Sequence, residues 1–397
     1  MNGPARVAVL EVYKDDRLAG RLERTDRGSR FVYDPEYLAS GGGPIARHLG
    51  LAREPIETVG VANLHSYFAG LLPEGVMLDI VQRRIRASRD DLFSILAATG
   101  SDAIGDVTVR QPGSPPAEVL SLDRVDLQAL VEARSAPSVA AIPGVQPKLS
   151  IGALVRVARV RGRRKAYIAK VPPADMPGLI ENEAFFMRAA RRCGLRSADV
   201  ATRQGCLLVT RFDRVVEEGR QGLRQLHVED ALQLADRYPA AKYDPDYREI
   251  GDLFHGITGS KAVVLNLLEL YAFSYLIGNG DLHAKNVSLM LGAGTDRWNL
   301  TPVYDLLSTL PYGDVLWGAD RMALALEGES FGRFLAEDFV RFGQRYSVPE
   351  AATRSSLRRI ASKASQWLSD LDSLPYPEAV VAKMRETIAD RARALLA

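Results

Sequence analysis

Asn279-Gly280-Asp281-Leu282-His283-Ala284-Lys285-Asn286-Val287-Ser288-Leu289-Met290 is the stretch from which the fold is read. It follows an apolar run over 263–278 and leads into a second over 287–291. Asp281, His283, Lys285 and Asn286 crowd between the two. Such a cluster could be an ordinary helix-to-strand connector, but a buried connector would not carry four such groups without partners. Asp281 and Asn286 have the spacing D-x-x-x-x-N. Phosphoryl-transfer enzymes use it for an Asp that takes a hydroxyl proton and an Asn that holds Mg²⁺. Thr301-Pro302-Val303-Tyr304-Asp305-Leu306 follows, and Asp305 stands where such an enzyme places its main metal-binding carboxylate, without the Phe-Gly that accompanies it elsewhere. The residues between allow one hairpin (287–291, a Gly292/Gly294 turn, 298–300), which would bring both metal ligands to one end. His283 could instead ligate a metal, but no second His stands nearby at ligand spacing, which argues against zinc.

Phosphoryl transfer also needs a cation for the nucleotide phosphates and a loop whose backbone can approach them. Lys170 ends Ala166-Tyr167-Ile168-Ala169-Lys170, which resembles the Val-Ala-Ile-Lys strand of kinases. Alone it reads equally as a snorkelling strand-end lysine. Glu181 and Glu183 lie on the next helix, where a carboxylate could orient that lysine. Gly144-Val145-Gln146-Pro147-Lys148 reads as a plain turn or as a short phosphate-capping loop. No Gly-Lys-Ser/Thr is present, which disfavours a P-loop NTPase.

With 397 residues, two or three domains are expected. The 51 basic and 49 acidic residues nearly cancel, so no global field argues for nucleic acid or membrane as primary partner. Cys193 and Cys206 cannot supply a disulfide framework or a zinc site. The start lacks the apolar core of a signal peptide, and the run at 263–278 is too short to span a bilayer. A reduced, cytoplasmic, soluble protein is expected.

Short β-rich runs broken by Asp and Gly over 6–35 suggest a meander or small barrel. The segment 64–95 is helical in pattern with a break at Pro73-Glu74-Gly75, and Gly100 stops its last helix as a C′ glycine. Gln111-Pro112-Gly113-Ser114-Pro115-Pro116 is the best candidate boundary, followed by a short helix over 121–134. Strands return over 148–171, a helix spans 180–193, and 206–212 is an apolar strand. Beyond 226 the pattern is mainly helical, with helices over 260–276 (Ser260 as N-cap), 329–346, 349–371 and 377–396. Strands first and helices later give a bilobed α+β protein. Its divisions would be 1–110, a β meander with helices; 111–225, holding the nucleotide loop; and 226–397, a helical lobe with the catalytic and metal-binding residues.

Taken in order, these residues resemble the HipA family of bacterial Ser/Thr kinases, the toxin halves of HipBA toxin–antitoxin modules. The resemblance runs over nearly the whole chain. It is carried by Tyr67-Phe68 through Leu71-Leu72-Pro73-Glu74-Gly75, Leu96-Ala97-Ala98-Thr99-Gly100, Gly144-Val145-Gln146-Pro147-Lys148-Leu149 and Glu181-Asn182-Glu183. Further on come Leu208-Val209-Thr210-Arg211-Phe212-Asp213-Arg214, His227-Val228-Glu229-Asp230, Lys242-Tyr243, Gly280 to Asn286 and Tyr304-Asp305.

The resemblance implies a two-lobed, protein-kinase-like fold with a β-rich N-terminal lobe, a small β/α subdomain and an all-helical C-terminal lobe. ATP would lie between the lobes, held by Pro143, Gly144, Val145, Gln146, Pro147, Lys148 and Lys170. Thr210, Arg211 and Phe212 would form the hinge, and His283, Ala284, Lys285, Asn286, Tyr304 and Asp305 the lower contacts. Asp281 would be the catalytic base, with Asn286 and Asp305 as Mg²⁺ ligands. It further implies a protein substrate such as an aminoacyl-tRNA synthetase and a small helix-turn-helix antitoxin of HipB type, with operator DNA reached only through that complex. Ala141 stands where self-inactivating members carry a Ser, so control by phosphorylation would fall to Ser138 or Ser150 or be absent. Two other readings stay open: a kinase of a small molecule or lipid on the same fold, and a catalytically silent scaffold acting as co-repressor.

Overall fold

A computed structural model describes residues 7–60, 64–88, 90–117, 127, 156–160, 163–171, 176–220, 222–315 and 321–397. The nucleotide-loop segment 143–148, Ala141, Ser138, Ser150 and nearly all of the helix expected over 121–134 lie outside these residues. The chain divides into two compact units, each drawn from separate stretches of sequence. One is 1–169 with 213–239, the other 170–212 with 240–397.

The first unit is built on an antiparallel sheet of β1 (Val9–Lys14), β2 (Arg17–Thr25), β3 (Gly28–Tyr33), β4 (Ile56–Val59) and β5 (Val107–Arg110), in the order β4-β3-β2-β1-β5. Asp15 and Asp16 both take positive φ, 46° and 66°, between β1 and β2. That is the two-residue turn whose twist matches a hairpin, and Asp tolerates it. Gly20 faces Tyr33 across β2 and β3, and a Cβ there would strike the Val32 carbonyl oxygen and the Phe31 ring. Leu10, Val12, Leu22, Phe31, Tyr67, Phe68, Phe93 and Val109 form the core behind this sheet. The helices Ser66–Gly70, Gly75–Ile85 and Leu92–Thr99 are separated around Pro73 as expected. Gly100 differs from expectation: its φ is −67°, and the chain tightens into a 3₁₀ turn instead of a left-handed cap. Glycine is needed there for space, since a Cβ would come within 2.9 Å of the Val109 side chain.

The returning segment 213–239 is tied to the sheet by buried charges. Lys14 Nζ meets Asp106 Oδ2 at 2.8 Å, Asp106 Oδ1 lies 2.7 Å from His227 Nδ1, and His227 Nε2 lies 2.9 Å from Glu229 Oε1. The Arg47 backbone N–H donates to the same Glu229 oxygen at 2.8 Å. Asp230 then opens the helix Ala231–Leu234 with a capping box, Gln233 N–H to Asp230 at 2.9 Å and Asp230 N–H to Gln233 at 3.0 Å.

The second unit centres on the helix Lys261–Ile277, capped by Ser260 as expected and ended by Gly278 at φ 70°. Val264, Leu267, Leu268, Tyr271, Phe273 and Leu276 on it are fully buried. Tyr247–Thr258, Ala336–Arg345, Glu350–Ala364 and Glu378–Leu396 pack in the same unit. The helix expected from 329 begins only at Ala336, because Arg321–Leu326 and Glu329–Phe331 form a hairpin around Glu327 (φ 52°) and Gly328 (φ 89°). The C-terminal part is therefore not all helical: it carries this hairpin and that of Ser288–Leu291 with Trp298–Leu300. The helix expected to run to 371 stops at Ala364, and its continuation is the 3₁₀ turn Ser369–Ser373.

Candidate active site

Lys170 ends the strand Arg163–Lys170, and its ammonium meets two carboxylates of the second unit, one 13 and the other 135 residues further along the chain. One is Glu183 Oε1 at 2.7 Å, and the other is Asp305 Oδ1. Of the two glutamates open to this role, Glu183 is buried and Glu181 is exposed. The helix Leu179–Arg192 is buried over most of its circumference, from Ile180 through Asn182 to Met187, and Glu181 lies on the narrow remainder with Arg188. Burial works against the Lys170 charge, but Asp305 and Glu183 outweigh it and raise its pKa. Burial pushes the Glu183 carboxyl up, against the pull of Lys170.

Asn182, the neighbour of Glu183, is completely buried and grips the chain beyond Asp305. Its amide donates to the Ser308 carbonyl at 2.9 Å and accepts from the Ser308 N–H at 2.9 Å. Before Asp305, Val303 runs beside Ser197, its N–H donating to Arg196 O at 2.7 Å and its carbonyl accepting from Ala198 N–H at 3.0 Å. Asp305 is thus held from both sides, in a left-handed conformation at φ 54°. For a non-glycine residue this is uncommon, and Asp is among the residues that tolerate it best.

The hairpin expected after Asn286 is present, pairing Leu289 with Leu300 and Leu291 with Trp298. It returns the chain so that Tyr304 Oη donates to the Lys285 carbonyl at 2.9 Å and lies 2.5 Å from Ser288 Oγ. The residues before Asp305 are thereby joined to the loop that carries Asp281. In that loop the Asp281 N–H donates to Asn279 Oδ1 at 2.9 Å, and its carbonyl accepts from the His283 N–H (2.8 Å) and Asn286 Nδ2 (3.0 Å). Gly280 N–H donates to Thr309 Oγ1 at 3.0 Å, and that hydroxyl donates to Gly278 O at 2.9 Å. The Asp281 carboxylate accepts from Tyr243 Oη at 2.6 Å.

His283 and Ala284 are buried, with His283 edge-on to the Tyr243 ring. Thr210 ends the strand Cys206–Thr210 with its N–H on the Asp199 carbonyl (2.7 Å), Arg211 is buried, and the Phe212 ring lies 5.7 Å from that of Tyr304. Pro143, Gly144, Val145, Gln146, Pro147 and Lys148 lie outside the described residues. Sequence reading gave no role to Asn279 or Thr309, and it quoted Tyr243 only as part of the family resemblance, without its contact to Asp281. Each acts across a distance in sequence or through a backbone group, and no local pattern marks it.

Among the described residues no cluster of three or more His, Cys, Asp or Glu could hold a metal. The oxygens on offer still suit Mg²⁺, which takes one or two protein ligands and completes its shell with phosphate and water. Asn286 commits its amide nitrogen to Asp281 O, which assigns its Oδ1 as the end left for a cation.

A model of the HipA-like C-terminal domain matches residues 140–368, and one of the HipA N-terminal domain matches 10–110. The chain belongs to the HipA family. Y4dM of Sinorhizobium fredii, provisionally designated a kinase, is 31% identical over 81% of this chain and 80% of its own. Y4mE of the same organism, similarly designated, is 26% identical over 98% of both chains. The serine/threonine-protein kinase toxin HipA of Shewanella oneidensis is 24% identical over 92% of this chain and 90% of its own. The solved complex of Shewanella oneidensis HipA, HipB and operator DNA matches with a TM-score of 0.73 and 21% identity. It covers 97% of this chain and 96% of the other. That likeness carries the HipA fold, in accord with the expected α+β class. No described helix is long and apolar enough to cross a membrane, and both cysteines are free and buried.

Proposed function

We propose that the chain is an ATP- and Mg²⁺-dependent serine/threonine protein kinase and the toxin of a toxin–antitoxin pair, acting in the cytoplasm on a translation component such as an aminoacyl-tRNA synthetase. The observation that carries this reading is the meeting of Lys170, Glu183 and Asp305, drawn from three separated stretches. A structural ion pair needs one carboxylate. A lysine oriented by a helix glutamate beside a second carboxylate is the arrangement that receives nucleotide phosphates and their metal.

In this reading Asp281 takes the proton of the substrate hydroxyl as its oxygen attacks the terminal phosphorus. Lys170 binds the phosphates, with Glu183 orienting it, and Asn286 and Asp305 would hold Mg²⁺. The metal, when bound, supplies charge neutralisation at the phosphate oxygens. Residues 143–148, Thr210 to Phe212, His283 to Lys285 and Tyr304 would complete the nucleotide contacts. Restraint by a HipB-type antitoxin, with operator DNA bound through that complex, accords with the family and with a net charge of only +2.

The test is incubation of the purified chain with labelled ATP, Mg²⁺ and a bacterial cytosolic extract. A labelled protein band is expected, weakened by a factor of roughly 10² to 10⁴ in Asp281→Asn, the range a general base supplies. Labelling that Asp281→Asn leaves at the wild-type rate would refute the assignment.

A further inference from the structure

We propose that Tyr243 is a positioning residue for Asp281, a role that rests on the kinase reading above. Its phenol donates to Asp281 Oδ1 at 2.6 Å, the short distance of a hydroxyl on an ionised carboxylate. Among the described residues no other hydrogen bond reaches that carboxylate. The backbone on either side of Asp281 is pinned through Asn279, His283 and Asn286, but those bonds leave the side-chain torsion free. Tyr243 supplies the missing constraint. It fixes one carboxylate oxygen and leaves Oδ2 to meet the substrate.

Tyr243 is itself held by the loop it serves. The Ala284 N–H donates to the carbonyl of Lys242 at 3.1 Å, and the Tyr243 ring packs edge-on to His283 with centroids 5.2 Å apart. The phenol and the carboxylate therefore move as one body, although 38 residues separate them in sequence. In the transfer step a lone pair of the substrate oxygen forms the new O–P bond and the bond to the departing nucleoside diphosphate breaks. The hydroxyl proton passes to Asp281 Oδ2. The Tyr243 proton stays on its own oxygen.

A phenol on the base has one other meaning: it could occupy the place of the substrate hydroxyl and have to leave before reaction. The two differ in kinetics. As a positioning residue, Tyr243→Phe should lower kcat by about 10- to 100-fold, the scale of a misplaced reacting group. KM for ATP and for the acceptor should stay within about twofold. As a placeholder, its removal should lower KM for the acceptor and leave kcat unchanged or raised.

The experiment measures transfer from labelled ATP to the purified acceptor by wild type, Tyr243→Phe, Asp281→Asn and the double variant. Thermal melts accompany each, and Tyr346→Phe serves as a control that loses a phenol bond to Arg248 and Asp252 elsewhere in the unit. Expected are a kcat loss in Tyr243→Phe with an unchanged melt, and no further loss when it is added to Asp281→Asn. Wild-type kcat in Tyr243→Phe, a lowered acceptor KM, or additive losses in the double variant would overturn the positioning role while the kinase reading stands. Unimpaired transfer by Asp281→Asn, or no acceptor labelled by wild type, would remove both.

Discussion

Asp305 combines a charge with a backbone conformation that most residues avoid, and the two can be separated by mutation. At φ 54°, Asn is tolerated nearly as well as Asp, whereas Ala lacks the short polar side chain that can hydrogen-bond locally and offset this conformation. Asp305→Asn should therefore keep the melting temperature close to wild type and still weaken Mg²⁺-dependent ATP binding. Asp305→Ala should lose both. Lys170→Ala should weaken ATP binding as well, because no other described cation meets Glu183 and Asp305. Titration calorimetry with melting curves checks this: unchanged ATP affinity in all three variants would dismiss these residues from the nucleotide site. Asp281, Asn286 and Asp305 could be singled out in the sequence because their spacing resembles the one phosphoryl-transfer enzymes use. The contact of Tyr243 with Asp281 was not legible, although Lys242-Tyr243 belongs to the family resemblance, since the two partners lie 38 residues apart.

At the scale of elements, several hairpins and helices were read from local punctuation. Asp15-Asp16, Gly292 and Gly294, Pro73 and the Ser260 cap each act within a few residues, and each element they bound is present. The boundary at 329 failed because a charged, turn-forming Glu327-Gly328 followed by 329–331 continues a helical apolar spacing by coincidence. Gly100 was read for its conformation, and its role is closeness to Val109. Gly20 has the same kind of role in the sheet. Its neighbour is the Val32 carbonyl, a backbone atom that cannot turn aside, so Gly20→Ala should cost about 1–3 kcal/mol by overpacking. Urea unfolding would register this as a lower midpoint. An unchanged midpoint would mean that β2 and β3 yield more readily than their pairing suggests.

At the scale of the whole molecule, the first unit depends on charges that titrate. His227 is pulled down by burial and by Lys14, but Asp106 and Glu229 prevail and raise its pKa. A raised value means a contribution that is complete below about 6.5 and is lost as pH climbs through the folded value. Asp106, opposed by burial but held by His227 and Lys14, sits well below the ordinary carboxylate range. Its contribution is present above about 3.9 and fades in acid. His65 acts in the opposite sense to His227, since burial lowers its pKa and its contribution is lost as pH falls. The comparison that isolates His227 is wild type against His227→Gln. At pH 6 the variant should lose about 3–5 kcal/mol, the cost of breaking a buried charge pair, and the gap should narrow toward pH 9. A gap that is constant with pH in denaturant titrations would show that His227 is neutral in the folded protein.

The tie between Asp106 and His227 also sets an order of events during synthesis. The two residues are 121 positions apart, so at translation rates of 5–20 residues per second Asp106 is made roughly 6 to 24 s before its partner. Through that interval Lys14 and Asp106 have only each other, and Arg47 has no Glu229 to receive its N–H. The sheet that appears first on the ribosome is finished by a segment that appears late. A nascent chain halted between residues 170 and 226 would expose this gap as a site for chaperones or proteases, and release past residue 239 would close it.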